Sequence, residues 1–147
     1  MKFTTRSTYG LKFLLDLAVH GNRGAVSLHD VSRRQGISEK YLWQVIAPLR
    51  AAGMIASVRG SRGGYRLAKD SSSISLRAVL EALEGETAVP VLPRSTAARD
   101  RDTGAVVRHA LDTLVRAWNA KADAVTLDSL AEKYRHIKSH GAPMYEI

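Results

Sequence analysis

The chain predicts a mostly α-helical fold with a small β-wing, and three stretches carry that expectation. Two helical patterns meet at Gln35-Gly36-Ile37-Ser38, where Gly36 can take the left-handed conformation that ends one helix and Ser38 can cap the next. The β-prone runs Ile55 to Arg59 and Tyr65 to Leu67 are joined by Gly60-Ser61-Arg62-Gly63-Gly64, a basic hairpin tip. Farther on, Val107, Leu111, Leu114, Trp118 and Val125 follow one another at spacings of 4, 3, 4 and 7, with Lys121 at the off-pattern position. That is an a/d seam about two and a half heptads long. The architecture expected is a winged helix-turn-helix head followed by a long dimerisation helix.

Taken in order, Thr4-Thr5 can cap a helix running to about His20, with Leu11, Leu14, Leu15 and Ala18 at i, i+3, i+4 and i+7. Gly21-Asn22-Arg23-Gly24 stops it. Ser27 with Asp30 resembles a capping box and opens a short helix through Val31 to Gln35. In the helix after Ser38, at about 100° per residue, Leu42, Val45, Ile46 and Leu49 share the side to be buried. Lys40, Trp43, Gln44 and Ala47 share the other. Gln can pair with the major-groove edge of adenine, Lys with guanine or phosphate, and an apolar group can touch a thymine methyl. An ordinary amphipathic helix would show a solvated polar face as well; an exposed Trp43 without a partner and the adjoining basic tip favour a groove reader. Pro48 removes one helical hydrogen bond, so a bend near Gln44 to Pro48, or an early end, is expected before Gly53.

Beyond the wing, Ser71-Ser72-Ser73 reads as a linker, and Ser75 can cap a helix with Leu76, Val79, Leu80 and Leu83 on one face, closed by Gly85. Glu86 to Gly104 has two prolines and no periodicity, the pattern of a long loop and a possible sensor region. The long helix is expected from Ala105 to about Val125, and packing of that helix on its own head is the alternative to a dimer seam. Thr126 starts a last short helix, and the tail should fray. The division is thus a DNA-binding head over 1–85, a loop over 86–104, the dimerisation and terminal helices over 105–138, and a flexible tail over 139–147.

Charge supports this division. Of the net charge of +8, residues 1–84 hold 13 Lys/Arg against 6 Asp/Glu, and residues 85–147 hold 9 against 8. A basic head attracts polyanions, and nucleic acid is favoured over membrane because no long amphipathic helix has a Lys/Arg-rich face. There is no cysteine, which excludes disulfides, thiolate metal sites and thiol nucleophiles and leaves the redox compartment unread. The first apolar run is broken by Lys12 and Asp16, so it reads as neither signal peptide nor membrane span, and a cytoplasmic protein is expected.

An enzyme is not expected. The glycine-rich tip lies between strands and not before a helix, as a phosphate loop would, and the five histidines form no triad-like signature. Glu132, His136 and His140 recur at i+4 and would form a stripe on a helix. Gly141 and Pro143 argue that the helix ends there, which favours a solvated surface over a metal site. No metal or cofactor is expected.

Several of these stretches together resemble a known family. Lys2-Phe3-Thr4-Thr5-Arg6 with Tyr9, Gln35-Gly36-Ile37-Ser38-Glu39-Lys40-Tyr41-Leu42, Leu49-Arg50-Ala51-Ala52-Gly53, Ser57-Val58-Arg59-Gly60 and Gly63-Gly64-Tyr65-Arg66-Leu67 are similar to the Rrf2 family of bacterial winged-helix transcription regulators. That family includes an iron-sulfur cluster regulator, a nitric-oxide sensor and a cysteine-metabolism repressor. The likeness covers residues 1–86 closely and resumes more weakly from Val106 through Leu130.

The resemblance implies a dimer crossed through the long helix, the second helix of the motif in the major groove and the wing in the minor groove. By position it implies base reading by Ser38, Lys40 and Gln44, minor-groove insertion by Arg59, and phosphate contacts by Tyr41 and the tip residues Ser61, Arg62 and Gly63. Two departures stand out. Position 43 is often Glu in relatives and is Trp43 here, so operator preference does not transfer. Cluster-binding relatives have three cysteines before the long helix, and this chain has none.

The function expected is a DNA-binding regulator, a homodimeric repressor on a palindromic operator without a cysteine-held cluster. Duplex DNA and a second copy are its partners, with a small-molecule effector or partner protein acting near the loop. An activator responding to such a ligand, or a winged-helix module binding protein or RNA, are the alternatives.

Overall fold

In the computed structural model, which describes residues 3–85, 90–92 and 102–141, a Ser or Thr side chain opens five of the six described α-helices. Thr4 caps α1 (Thr5–His20), Ser27 caps α2 (Leu28–Gln35), and Ser38 caps α3 (Glu39–Ala51). Ser75 caps α4 (Leu76–Glu84) and Thr126 caps α6 (Leu127–His140). Each accepts an N–H from three residues on, which satisfies a donor the helix itself cannot pair. The remaining helix, α5, spans Asp102–Ala124. Two short strands, β1 (Ile55–Val58) and β2 (Gly64–Leu67), form the antiparallel wing after α3.

The helix-turn-helix punctuation is as the sequence predicts. Gly36 ends α2 at φ +63°, and Ser38 accepts the Tyr41 N–H at 3.4 Å. Leu42, Val45, Ile46 and Leu49 are all buried. Helix α3 does not end early at Pro48 but runs on to Ala51. Val45, Ile46 and Leu49 anchor it on both sides of the proline, and that burial outweighs one missing backbone hydrogen bond.

Helix α1 differs in detail from the sequence reading. Its buried face is centred on Phe13, Leu14 and Leu17, while Leu11 and Leu15 are only half-buried. The helix is wrapped by α3, α4, α6 and β2, so its stripe is set by several neighbours and not by the one face that starts at Leu11.

The wing is shorter than expected at Arg59, which lies outside β1. A third backbone segment joins it: Val26 and Tyr65 exchange both N–H···O bonds at 2.8 Å, a pairing that no period-2 pattern around Val26 announced. Gly64 makes that approach possible. Its φ is +155°, and a Cβ there would lie 2.2 Å from the Val26 carbonyl oxygen.

Helix α5 begins at Asp102, so residues 102–104, expected in the loop, form its first turn. Most of the expected sensor loop (86–89 and 93–101) and the tail beyond Gly141 lie outside the described residues. The turn from α5 to α6 is sewn to the head. Leu76 donates to the Val125 carbonyl and Leu127 to the Ile74 carbonyl, both at 2.8 Å, while Arg77 reaches Asp123 at 3.0 Å. Helix α6 then returns against α1, burying Leu127 and Ala131. Among the described residues no helix is long and apolar enough to cross a membrane.

Candidate nucleic-acid interface

The outward face of α3 holds Ser38, Lys40, Tyr41, Trp43 and Gln44, all exposed. Ser38 lies at the cap, where its oxygen already accepts the Tyr41 N–H and its own O–H is left to donate outward. Lys40 follows in the first turn. Tyr41 is 51% exposed and meets Tyr9 of α1 edge to face, ring centroids 5.9 Å apart. Gln44 lines a cleft of about 290 Å³ between α3 and the start of α1, together with Thr4, Thr5, Arg6, Tyr9 and Tyr41. The N-terminal turn of α1 therefore lies beside the outward face of α3, a position that periodicity within α1 could not reveal.

Trp43 is 56% exposed but has a partner, contrary to the sequence expectation. Its ring meets Tyr65 of the wing edge to face at 6.4 Å, and Tyr65 in turn meets the fully buried Phe13 at 5.8 Å. The outer face of α3 is thus tied to the base of the wing by an aromatic contact.

At the wing tip Arg59, Ser61 and Arg62 are exposed. Gly63 donates its N–H to the Gly60 carbonyl at 3.0 Å, and a Cβ on it would lie 2.5 Å from the Val58 carbonyl oxygen. Its contribution is to let the tip close. Among the described residues Lys40, Arg59 and Arg62 have no carboxylate within ion-pair distance, and neither do the nearby Arg50 and Arg66. Cations without protein counter-charges on a shared surface attract an external polyanion.

Two polar clusters hold the scaffold behind this face. The Asp16 side chain is completely buried and accepts three hydrogen bonds: Arg34 Nε at 3.0 Å, Arg34 Nη2 at 2.6 Å and Gln35 Nε2 at 2.9 Å. The cluster locks the last turn of α2 to α1. In the sequence its sign was an acid in the middle of the apolar run Leu14-Leu15-Asp16-Leu17.

The second cluster lies at the N-terminus of α1, where Ser7 (2.5 Å) and Thr4 donate their hydroxyls to Glu84. Burial pushes the Glu84 carboxyl up, but the Ser7 and Thr4 hydroxyls, the Ser7 backbone N–H and the Arg6 charge together outweigh it and hold it below its ordinary value. Asp30 is also held low, chiefly by the Ser27 hydroxyl at 2.7 Å.

The residues of the expected seam divide, and Val125 falls just past the end of α5. Val107 (53%), Leu111 (43%) and Leu114 (67%) are exposed, while Trp118 and Val125 are half-buried toward the end that packs on α4. Packing on the head therefore accounts for the C-terminal part of the helix only.

Comparisons with known proteins agree with this architecture. A family model described as "Rrf2: Iron-dependent Transcriptional regulator" matches residues 3–133. Over 91 residues the chain is 50% identical to Protein rrf2 of Nitratidesulfovibrio vulgaris, a match covering 62% of this chain and 60% of that protein. It spans about half the length of the IscR proteins it also matches. Among solved structures, T. potens IscR superposes with a TM-score of 0.73 at 32% identity, over 99% of this chain and 95% of that one. CymR of B. subtilis, described as that organism's global cysteine regulator, gives 0.67 at 30% identity over 90% and 98%.

Proposed function

We propose, from the premise that this chain belongs to the Rrf2 family of transcription regulators, that it is a homodimeric repressor of a palindromic operator. The single observation behind this reading is the exposed Lys40–Gln44 face of α3 beside a wing whose cations have no protein counter-charge among the described residues. In this docking Ser38, Lys40 and Gln44 read base edges in the major groove and Arg59 enters the minor groove. Tyr41, Ser61 and Arg62 position the head on phosphates, with Gly63 closing the tip.

The second copy joins through α5, where Val107, Leu111 and Leu114 lie open in continuity with Trp118 and Val125. A two-fold dimer places two recognition helices on half-sites about one helical turn apart.

The family description speaks of iron. Iron-sulfur clusters are held chiefly by thiolates, and this sequence contains no cysteine. Its residues do not fit such a group, and among the described residues no group of three His, Asp or Glu is placed to hold a metal ion. The signal is therefore proposed to be a small molecule or partner protein acting near residues 86–104, between the head and α5.

Binding of purified protein to duplexes selected from a random pool, followed by fluorescence anisotropy with a chelator present, tests the reading. Arg59→Ala should weaken binding, and Gln44→Ala should relax discrimination at one base pair per half-site, each by about 1 to 3 kcal/mol. Wild-type behaviour of both variants would refute the docking mode, and operator binding that is lost on chelation would refute independence from iron.

A further inference from the structure

Trp43 stands out on the outward face of α3 because it is a large, mostly apolar ring, 56% exposed, set between the polar and cationic side chains of Lys40 and Gln44 and beside Tyr41. It is also held in place. Its ring meets Tyr65, which is only 8% exposed, and Tyr65 meets Phe13, which is fully buried. Tyr65 itself is fixed by the pair of backbone bonds to Val26 and by its place in β2 opposite Ser57. A chain of edge-to-face contacts, at 6.4 and 5.8 Å, thus runs from the core to the outer face of α3. Edge-to-face pairs favour one ring orientation over others, so Trp43 is aimed before DNA arrives.

The chemistry of the indole limits what it can read. It has one N–H donor and no acceptor, so it cannot accept from the amino group of cytosine or adenine. Most of its surface is apolar, and its dehydration is favourable only against an apolar partner. The major groove offers one such group, the methyl on C5 of thymine. Resting on the docking of α3 proposed above, we infer that Trp43 is a specificity-determining residue that reads a pyrimidine C5-methyl, one per half-site, and that Tyr65 and Phe13 are the positioning residues behind it.

The test uses the full chain and a synthetic operator taken from random-pool selection, with each thymine replaced singly by deoxyuridine, which removes only the methyl. One thymine per half-site should bind about fourfold more weakly as uracil, the equivalent of one methyl group withdrawn from contact. At the same position 5-methylcytosine should bind better than cytosine. Trp43→Ala, at an exposed site that does not threaten the core, should weaken binding to the thymine duplex and bring the thymine-to-uracil ratio to one.

Tyr65→Leu should lower that ratio while Tyr65→Phe keeps it; a purely structural loss would weaken both duplexes equally and leave the ratio unchanged. If Tyr65→Leu does not fold, the Trp43→Ala arm still decides the methyl reading. A ratio of one at every position in the wild type, or one that survives Trp43→Ala, overturns the inference. Should Arg59→Ala lose affinity and Gln44→Ala lose discrimination at one base pair while the wild-type ratio is one, the methyl reading fails and the docking stands; if both variants behave as wild type, the docking itself has failed.

Discussion

Removing either partner of the Asp16–Arg34 pair should destabilise the head, and by unequal amounts. Asp16→Ala takes away a carboxylate with no side-chain exposure and three hydrogen bonds, and leaves the Arg34 guanidinium and the Gln35 amide behind. The Arg34 side chain is 30% exposed, so its charge can recover water once the carboxylate is gone. The cost should therefore sit near the bottom of the range for breaking a buried pair, about 3 kcal/mol. Arg34→Met does the reverse. It strands a fully buried carboxylate with the single Gln35 bond, and the cost should approach about 5 kcal/mol. The double variant should be more stable than Arg34→Met alone, because the stranded charge is gone and the apolar methionine stem can cover the site. Urea unfolding, followed by circular dichroism at constant m-value, measures all three. Equal costs for the two single variants, or a double variant whose loss equals the sum of both, would refute the claim that the stranded charge decides the outcome.

Gly64→Ala should cost about 2 to 4 kcal/mol, since the new Cβ would lie 2.2 Å from a backbone oxygen at φ +155°; a melting temperature equal to wild type would show that Val26 and the wing are not held so closely. Glu84 has a folded pKa held below its ordinary value, so its contribution is fully present above the unfolded pKa and is lost as pH falls through the folded one. Glu84→Gln should accordingly flatten the acid limb of a stability-against-pH curve, and an unchanged limb would assign that loss to other carboxylates. Leu114→Glu, at a position 67% exposed in the single chain, should leave the fold intact while removing about 1.5 to 3 kcal/mol of apolar burial per copy and setting two like charges across the seam. Light scattering should then report monomers, and an unchanged dimer mass would place the interface elsewhere.

What could be read from the sequence followed from local rules, and what could not came from contacts between distant segments. Gly36, Ser38 and the 3.6-residue spacing of Leu42, Val45, Ile46 and Leu49 act within one or two turns, and each stands in the structure where those rules put it. The basic tip was legible for the same reason, because glycine-rich hairpins are local. The early end that Pro48 allows does not occur because its penalty is local while its compensation is tertiary: Val45, Ile46 and Leu49 on either side of it are buried. Val26 has no strand-like surroundings, and its pairing with Tyr65 exists only because Gly64, thirty-eight positions away, lets two backbones meet.

Trp43 shows the same limit at the interface. Helical angles could put it on the outer face with Lys40 and Gln44, but its partner Tyr65 lies on another element, so the ring looked free where the structure finds it braced. That difference changes the chemistry. A free exposed tryptophan would lose side-chain entropy on meeting a base, whereas one already in edge-to-face contact with Tyr65 has lost part of it on folding. The energy of a single methyl contact can then appear as sequence preference instead of being spent on ordering the ring.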